Sequence, residues 1–246
     1  GLRNKWLVLS GEAGTGKTQL AKTIVSYIFN LPEEGETESG VPPAVHSAGA
    51  LLSPARLARD LAFTTFPKLF DEGRTLTFSS ASVITDIIKR AINGIFAYET
   101  ASAGSLVTRQ YPAYAAAIIT TQAISVSDPG LKSKLYNIEF TQADVKRGHE
   151  EFLRWREAHR EDLRAFGKFY LETIIRERPD LLEVDEDRYV WAAREALRHV
   201  LAKLGVPDGR IRFLETEEGG EADEDELAAF VKWLTKTCRA HLMDLP

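Results

Sequence analysis

The chain has 246 residues, with 36 Asp plus Glu against 31 Lys plus Arg and a formal net charge of −5. Its 44% hydrophobic and 27% charged content excludes wholesale disorder, and its length leaves room for one large domain or two moderate ones. The one cysteine, Cys238, excludes a disulfide framework and a cysteine-built zinc site. No apolar run approaches the roughly 20 residues that span a bilayer, and no signal-peptide layout is present. A soluble, cytoplasmic protein without a membrane partner is therefore expected. The chain begins at Gly1 and its one Met is Met243, so a fragment of a longer protein is expected as well. Mild acidity weakens a nucleic-acid reading without removing it, because a channel can be basic while the whole is not.

In chain order, Trp6 to Leu9 reads as a short buried strand, followed by a Gly-rich turn and an amphipathic helix from Lys17 to about Phe29. Pro32 to Pro43 is a polar surface loop punctuated by Pro and Gly. Ser53 suits an N-cap and Pro54 a first helical position, which predicts a helix through Ala55 to Leu61. Phe66 to Phe70 reads as a strand ending in two acids, and Ser79 to Ile95 carries helical spacing. Tyr114 to Thr121 and Leu135 to Phe140 are two further strands. Strands alternating with helices predict an α/β fold, a parallel sheet with helices on both faces, over residues 1–143. From residue 144 to 246 the pattern is helical. One helix carries Phe152, Trp155, Leu163, Phe166, Tyr170 and Ile174 up to Pro179, a second covers Asp187 to Leu204, and a third Asp225 to Leu242. The acidic stretch Glu215 to Glu226 reads as a solvated loop.

Gly11-Glu12-Ala13-Gly14-Thr15-Gly16-Lys17-Thr18 fits the G-x-x-x-x-G-K-[ST] phosphate-loop pattern, between a strand and a helix as the chemistry requires. Glycines let successive backbone N–H groups curl around phosphate oxygens, and the following helix adds the positive end of its dipole. ATP is the expected ligand, held by Gly11, Ala13, Gly14, Thr15, Gly16, Lys17, Thr18 and Gln19. Lys17 would reach the β- and γ-phosphates, and the Thr18 hydroxyl would ligate Mg²⁺. Such a site also needs a strand ending in acid. Leu69-Phe70-Asp71-Glu72 is the one apolar run in the first 143 residues that ends in paired carboxylates. Asp71 would hold Mg²⁺ through water, and Glu72 would orient or deprotonate the attacking water.

The order of later segments adds a resemblance. Ser47-Ala48-Gly49, Ser53 to Arg59, and Thr64-Thr65-Phe66-Pro67 before Asp71-Glu72 resemble the AAA+ helicases of plasmids, viruses and mobile elements, the superfamily-three and primase-fused replicative helicases. Ile87 to Gly94 looks like the helix after their acidic strand, Tyr111 to Gln122 like their sensor strand, and Asp128 to Leu135 with Ile138-Glu139-Phe140 like their finger-bearing segment. The resemblance covers about residues 4 to 144. It implies an AAA+-like ATPase core, followed by the helical part, in an ATP-hydrolysing DNA helicase that assembles as a hexameric ring. The alternative is an AAA+ protein-remodelling or regulatory NTPase that does not act on nucleic acid.

The resemblance also assigns roles. The family usually has Asn where this chain has Thr120-Thr121-Gln122; of the three, Gln122 is the expected contact to the attacking water or γ-phosphate. It usually has Arg where this chain has Lys132 and Lys134, so these lysines are the expected fingers, with Arg74 and Arg109 as rivals; Lys lacks the bidentate fork of Arg. The segment from Ile95 to Tyr111 would be an inserted loop or hairpin contacting DNA through Tyr98, Arg109 and Tyr111.

Overall fold

The computed structural model describes residues 6–33, 43–46, 53–62, 66–72, 74–93, 97–99, 109–111, 116–142, 148–182 and 189–208. The helix expected at Asp225 to Leu242 and the acidic stretch before it lie outside the described residues. The chain divides into two compact units, Gly1–Gln142 and Ala143–Pro246.

In the first unit, strand β1 (Trp6–Gly11) leads into helix α1 (Lys17–Lys22), which continues as a π-helical run over Thr23–Ile28. Strand β2 (Val45–His46) and helix α2 (Pro54–Ala62) follow. The Arg56 N–H meets the Ser53 hydroxyl at 3.4 Å, the capping role expected of Ser53. Strands β3 (Lys68–Asp71) and β4 (Leu76–Phe78) precede helix α3 (Val83–Ile92). Strands β5 (Ala97–Glu99) and β6 (Arg109–Tyr111) pair antiparallel, with Tyr98 opposite Gln110. Strands β7 (Ala117–Thr120) and β8 (Ile124–Val126), the short helix α4 (Pro129–Lys132) and strand β9 (Leu135–Phe140) complete the unit.

The main sheet has the order β2-β3-β7-β1-β9, and every pairing in it is parallel. Side chains alternate across such a sheet. Trp6, Val8, Phe70 and Ile119 fall on one face, packed with Leu57 and Leu61 of α2 and with Ile88 and Ile92 of α3. Leu9, Leu69 and Ile118 have the opposite parity and are also buried, as are Ala21 and Val25 on the helix that packs across β1, β3 and β7. The architecture is thus an α/β parallel sheet flanked by helices.

The parallel order has one consequence for any site. The carboxyl ends of β1, β3 and β7 lie side by side, and ligands in open α/β sheets bind outside strand carboxyl ends. Beyond these ends, β4 pairs parallel with β8 and prolongs the β3–β7 ribbon. Asp71 stands opposite Thr120, and Leu76 opposite Ile124. Asp71 and Glu72 thus fall where the β3–β7 ladder gives way to the β4–β8 ladder.

In the second unit every described element is helical: α5 (His149–Ala158), α6 (Arg160–Glu177), a 3₁₀ turn at Pro179–Leu182 and α7 (Tyr189–Lys203). The single helix expected up to Pro179 is two, broken at His159, which leaves helical geometry at φ −111°, ψ 21°. There the His159 ring stacks on Trp155 and its Nδ1 meets the Trp155 carbonyl at 2.7 Å. Ile174, Leu181, Ala192, Ala196 and Val200 form the unit's core. Gly205, at φ 74°, ends the α7 segment as expected.

Candidate functional site

The phosphate-loop glycines differ in their reasons for being glycine. Gly14 and Gly16 sit at φ 83° and 90°, and a Cβ on either would meet nothing within 4 Å. Their requirement is conformational: the left-handed backbone bares the N–H groups on an open concavity. Gly11, at φ 131°, is sterically confined, since a Cβ there would stand 2.0 Å from the Phe140 carbonyl oxygen of the neighbouring strand. Gly11→Ala is therefore expected to destabilise the first unit by at least about 2 kcal/mol, read as a lowered urea midpoint, whereas Gly14→Ala and Gly16→Ala remove only the strain-free loop geometry.

Lys17 is buried at the start of α1. Its Nζ donates to the Gly11 carbonyl at 2.8 Å, to the Glu12 carbonyl at 2.5 Å and to the Thr15 hydroxyl at 3.1 Å. Thr15 in turn donates to the Glu12 carbonyl at 2.9 Å. Burial pushes the Lys17 ammonium below its ordinary pKa, and the charges of Asp71 and Glu12 oppose that shift. At the outer rim, the Gln142 amide donates to the Ala13 carbonyl at 3.1 Å. Gln19 is half-buried on α1.

Asp71, at the end of β3, accepts two hydroxyl hydrogen bonds on one oxygen. The Thr18 hydroxyl reaches Oδ1 at 3.0 Å and the Thr120 hydroxyl reaches the same atom at 2.5 Å. The cation ligands expected from sequence, Thr18 and Asp71, thus lie together although 53 residues separate them. An oxygen-only pair at the mouth of a loop bearing bare N–H groups suits Mg²⁺ with phosphate, since Mg²⁺ prefers hard oxygen ligands and keeps several waters. The residues present fit the group.

Glu72 is buried beside this pair, with its N–H on the Thr120 carbonyl at 3.0 Å and its Oε2 at 3.5 Å from Arg74 Nη2. Arg74 is 49% exposed at its side chain, yet its guanidinium turns toward its own chain's Glu72. Its carbonyl accepts the Thr121 hydroxyl and the Gln122 N–H. Gln122 is exposed, and its carbonyl accepts the Gly11 N–H at 3.0 Å. The hydroxyl meeting Asp71 belongs to Thr120, one of the three residues among which Gln122 is the expected contact to the water or γ-phosphate.

Of the finger candidates, Arg74 lies in this cluster on its own chain's Glu72, whereas the two lysines belong to the α4–β9 segment. Lys132 is exposed in the last turn of α4, and Lys134 is half-buried two residues on, its carbonyl accepting the Trp6 N–H at 3.2 Å. The turn before them is built firmly. Asp128 caps α4 through the Leu131 N–H at 2.7 Å and pairs with Lys89 of α3 at 3.2 Å. These bonds, the Leu131 N–H foremost, hold the Asp128 carboxyl below its usual range. Of Arg109 only the backbone, in β6, is described.

No protein-family model matches the chain, and no curated protein matches it.

Proposed function

We propose that this chain is a P-loop ATPase of the AAA+ type that hydrolyses ATP with Mg²⁺ as the motor of a replicative DNA helicase. The observation that carries the ATPase reading is the convergence, at the carboxyl ends of β1, β3 and β7, of the Lys17 loop, the Thr18 and Asp71 pair and Glu72. Binding, charge neutralisation and water activation each have a residue there. Loop N–H groups and Lys17 would bind the phosphates. Bound Mg²⁺ would neutralise charge on their oxygens, held by Thr18 and, through water, by Asp71. Glu72 would take the proton of the attacking water once its carboxylate faces that water.

The DNA reading rests on the resemblance, with the β5–β6 hairpin standing where an inserted DNA-contacting segment is expected. The test is ATP turnover with and without single- or double-stranded DNA. Stimulation supports the motor; turnover indifferent to DNA in an assembled ring favours a protein-directed AAA+ machine.

Assembly gives a further prediction. Lys132 and Lys134 follow a braced turn outside their own chain's acid cluster, as fingers acting on a neighbour's ATP would, and a heterologous interface that closes makes a ring, six in this reading. Lys134→Ala and Glu72→Gln subunits should each be inactive alone. Mixed, they should regain part of the activity through interfaces that join an intact lysine to an intact acid. A co-assembled mixture as inactive as its components would exclude Lys134 and shift the search to Arg74 or Arg109.

A further inference from the structure

We infer that Thr120 is a positioning residue for the divalent cation, aiming the Asp71 carboxylate so that its Oδ2 is the oxygen presented to the cation's water shell. The inference rests on the ATPase reading above and adds a residue and an atom to it. Thr120 is 1% exposed at the end of β7, directly opposite Asp71 in the ladder. Its branched side chain is stiff at χ1, so the strand backbone dictates where the hydroxyl points. That hydroxyl donates to Asp71 Oδ1, the atom also reached by Thr18. Among the described residues no hydrogen bond reaches Oδ2. Two donors on one oxygen fix the rotation of the carboxylate and leave the other oxygen available.

The division of labour explains why a second hydroxyl is needed. Thr18 would offer its oxygen to the cation while donating its proton to Asp71, so it would serve as ligand and brace together. Thr120 serves only as brace. Partners that orient metal-binding groups typically contribute about ten- to a hundredfold in metal affinity. Gln122 makes no hydrogen bond to the Asp71 carboxylate among the described residues: it is exposed, and its backbone N–H and carbonyl meet Arg74 and Gly11.

The experiment uses Mn²⁺ in place of Mg²⁺ and counts bound Mn²⁺ by electron paramagnetic resonance in the presence of saturating ADP. ADP affinity in EDTA is measured alongside. Thr120→Val, which keeps the branched shape and removes the donor, should weaken Mn²⁺ binding by about ten- to a hundredfold, while Thr120→Ser should stay within about threefold of the parent. ADP affinity in EDTA should be the same for all three. Mn²⁺ bound by Thr120→Val as tightly as by the parent would overturn the positioning role and leave the ATPase reading standing. Equal losses in Mn²⁺ and in EDTA would overturn it in favour of a packing role. A parent that binds neither ADP nor Mn²⁺ would instead overturn the ATPase reading itself. Should Thr120→Val not fold, Thr120→Ala removes the same donor and is read by the same outcomes.

Discussion

Lys17→Ala is expected to lower ATP turnover by about 10²- to 10³-fold or more and leave the fold in place. The ammonium is the positive charge built into the phosphate loop, and charge stabilisation of this kind dominates phosphoryl transfer. Its removal has two opposed effects on stability. The Gly11 and Glu12 carbonyls and the Thr15 hydroxyl lose a donor, which costs about 1 kcal/mol each, while the desolvation penalty that depresses the Lys17 pKa disappears. The midpoint of thermal unfolding should therefore move little. Turnover equal to the parent's would refute the assignment of Lys17, and a variant that fails to fold would recast it as structural.

Glu72→Gln is expected to separate binding from chemistry. The amide matches the carboxylate in shape, fits the same buried position and can still accept from Arg74. What it lacks is basicity, so ATP affinity should stay close to the parent's while hydrolysis falls by about 10²- to 10⁴-fold. The lost ion pair should matter little for stability, since the buried Glu72 carboxylate gives up its charge and its desolvation cost together with the pair. Bound ATP recovered uncleaved after incubation with Mg²⁺ is the expected readout. A variant that loses ATP binding and hydrolysis together would move Glu72 into a structural role.

The parts of the site legible in the sequence are those whose geometry is local. The phosphate loop is eight consecutive residues whose conformation follows from glycine positions and the strand and helix on either side, and the left-handed Gly14 and Gly16 lie where that pattern puts them. The strand ending in Asp71 and Glu72 was visible because apolar residues stop at paired acids. Its weak point was Lys68, which reads as an interruption. In the fold Lys68 is buried with its ammonium on the Pro43 carbonyl at 2.9 Å, so burial of a charged residue was satisfied by a backbone partner 25 positions away. No local pattern signals that.

Thr120 is one of three candidates at the end of its strand, but its contact with Asp71 is hidden for the same reason. Its contact with Asp71 depends on the β3–β7 register, which spans 49 residues, and a threonine in a run of strand-forming residues looks like propensity alone. Gly11 was read as a phosphate-loop glycine, whereas its confinement by Phe140 arises from β9, at the far end of the unit. The three-residue strands β4 and β8 are too short to show a period. In the helical unit the three-and-four spacing ran unbroken through His159, since a single residue outside helical geometry leaves the apolar stripe nearly in phase.

The measurement that bears most directly on the ATPase reading is phosphate release from ATP by the unaltered chain, followed with Mg²⁺ and again with EDTA. Sustained release with Mg²⁺ that stops in EDTA is expected, because Thr18, Asp71 and Glu72 stand together beside the Lys17 loop. ATP left intact under both conditions, by protein shown to be folded and assembled, would contradict it.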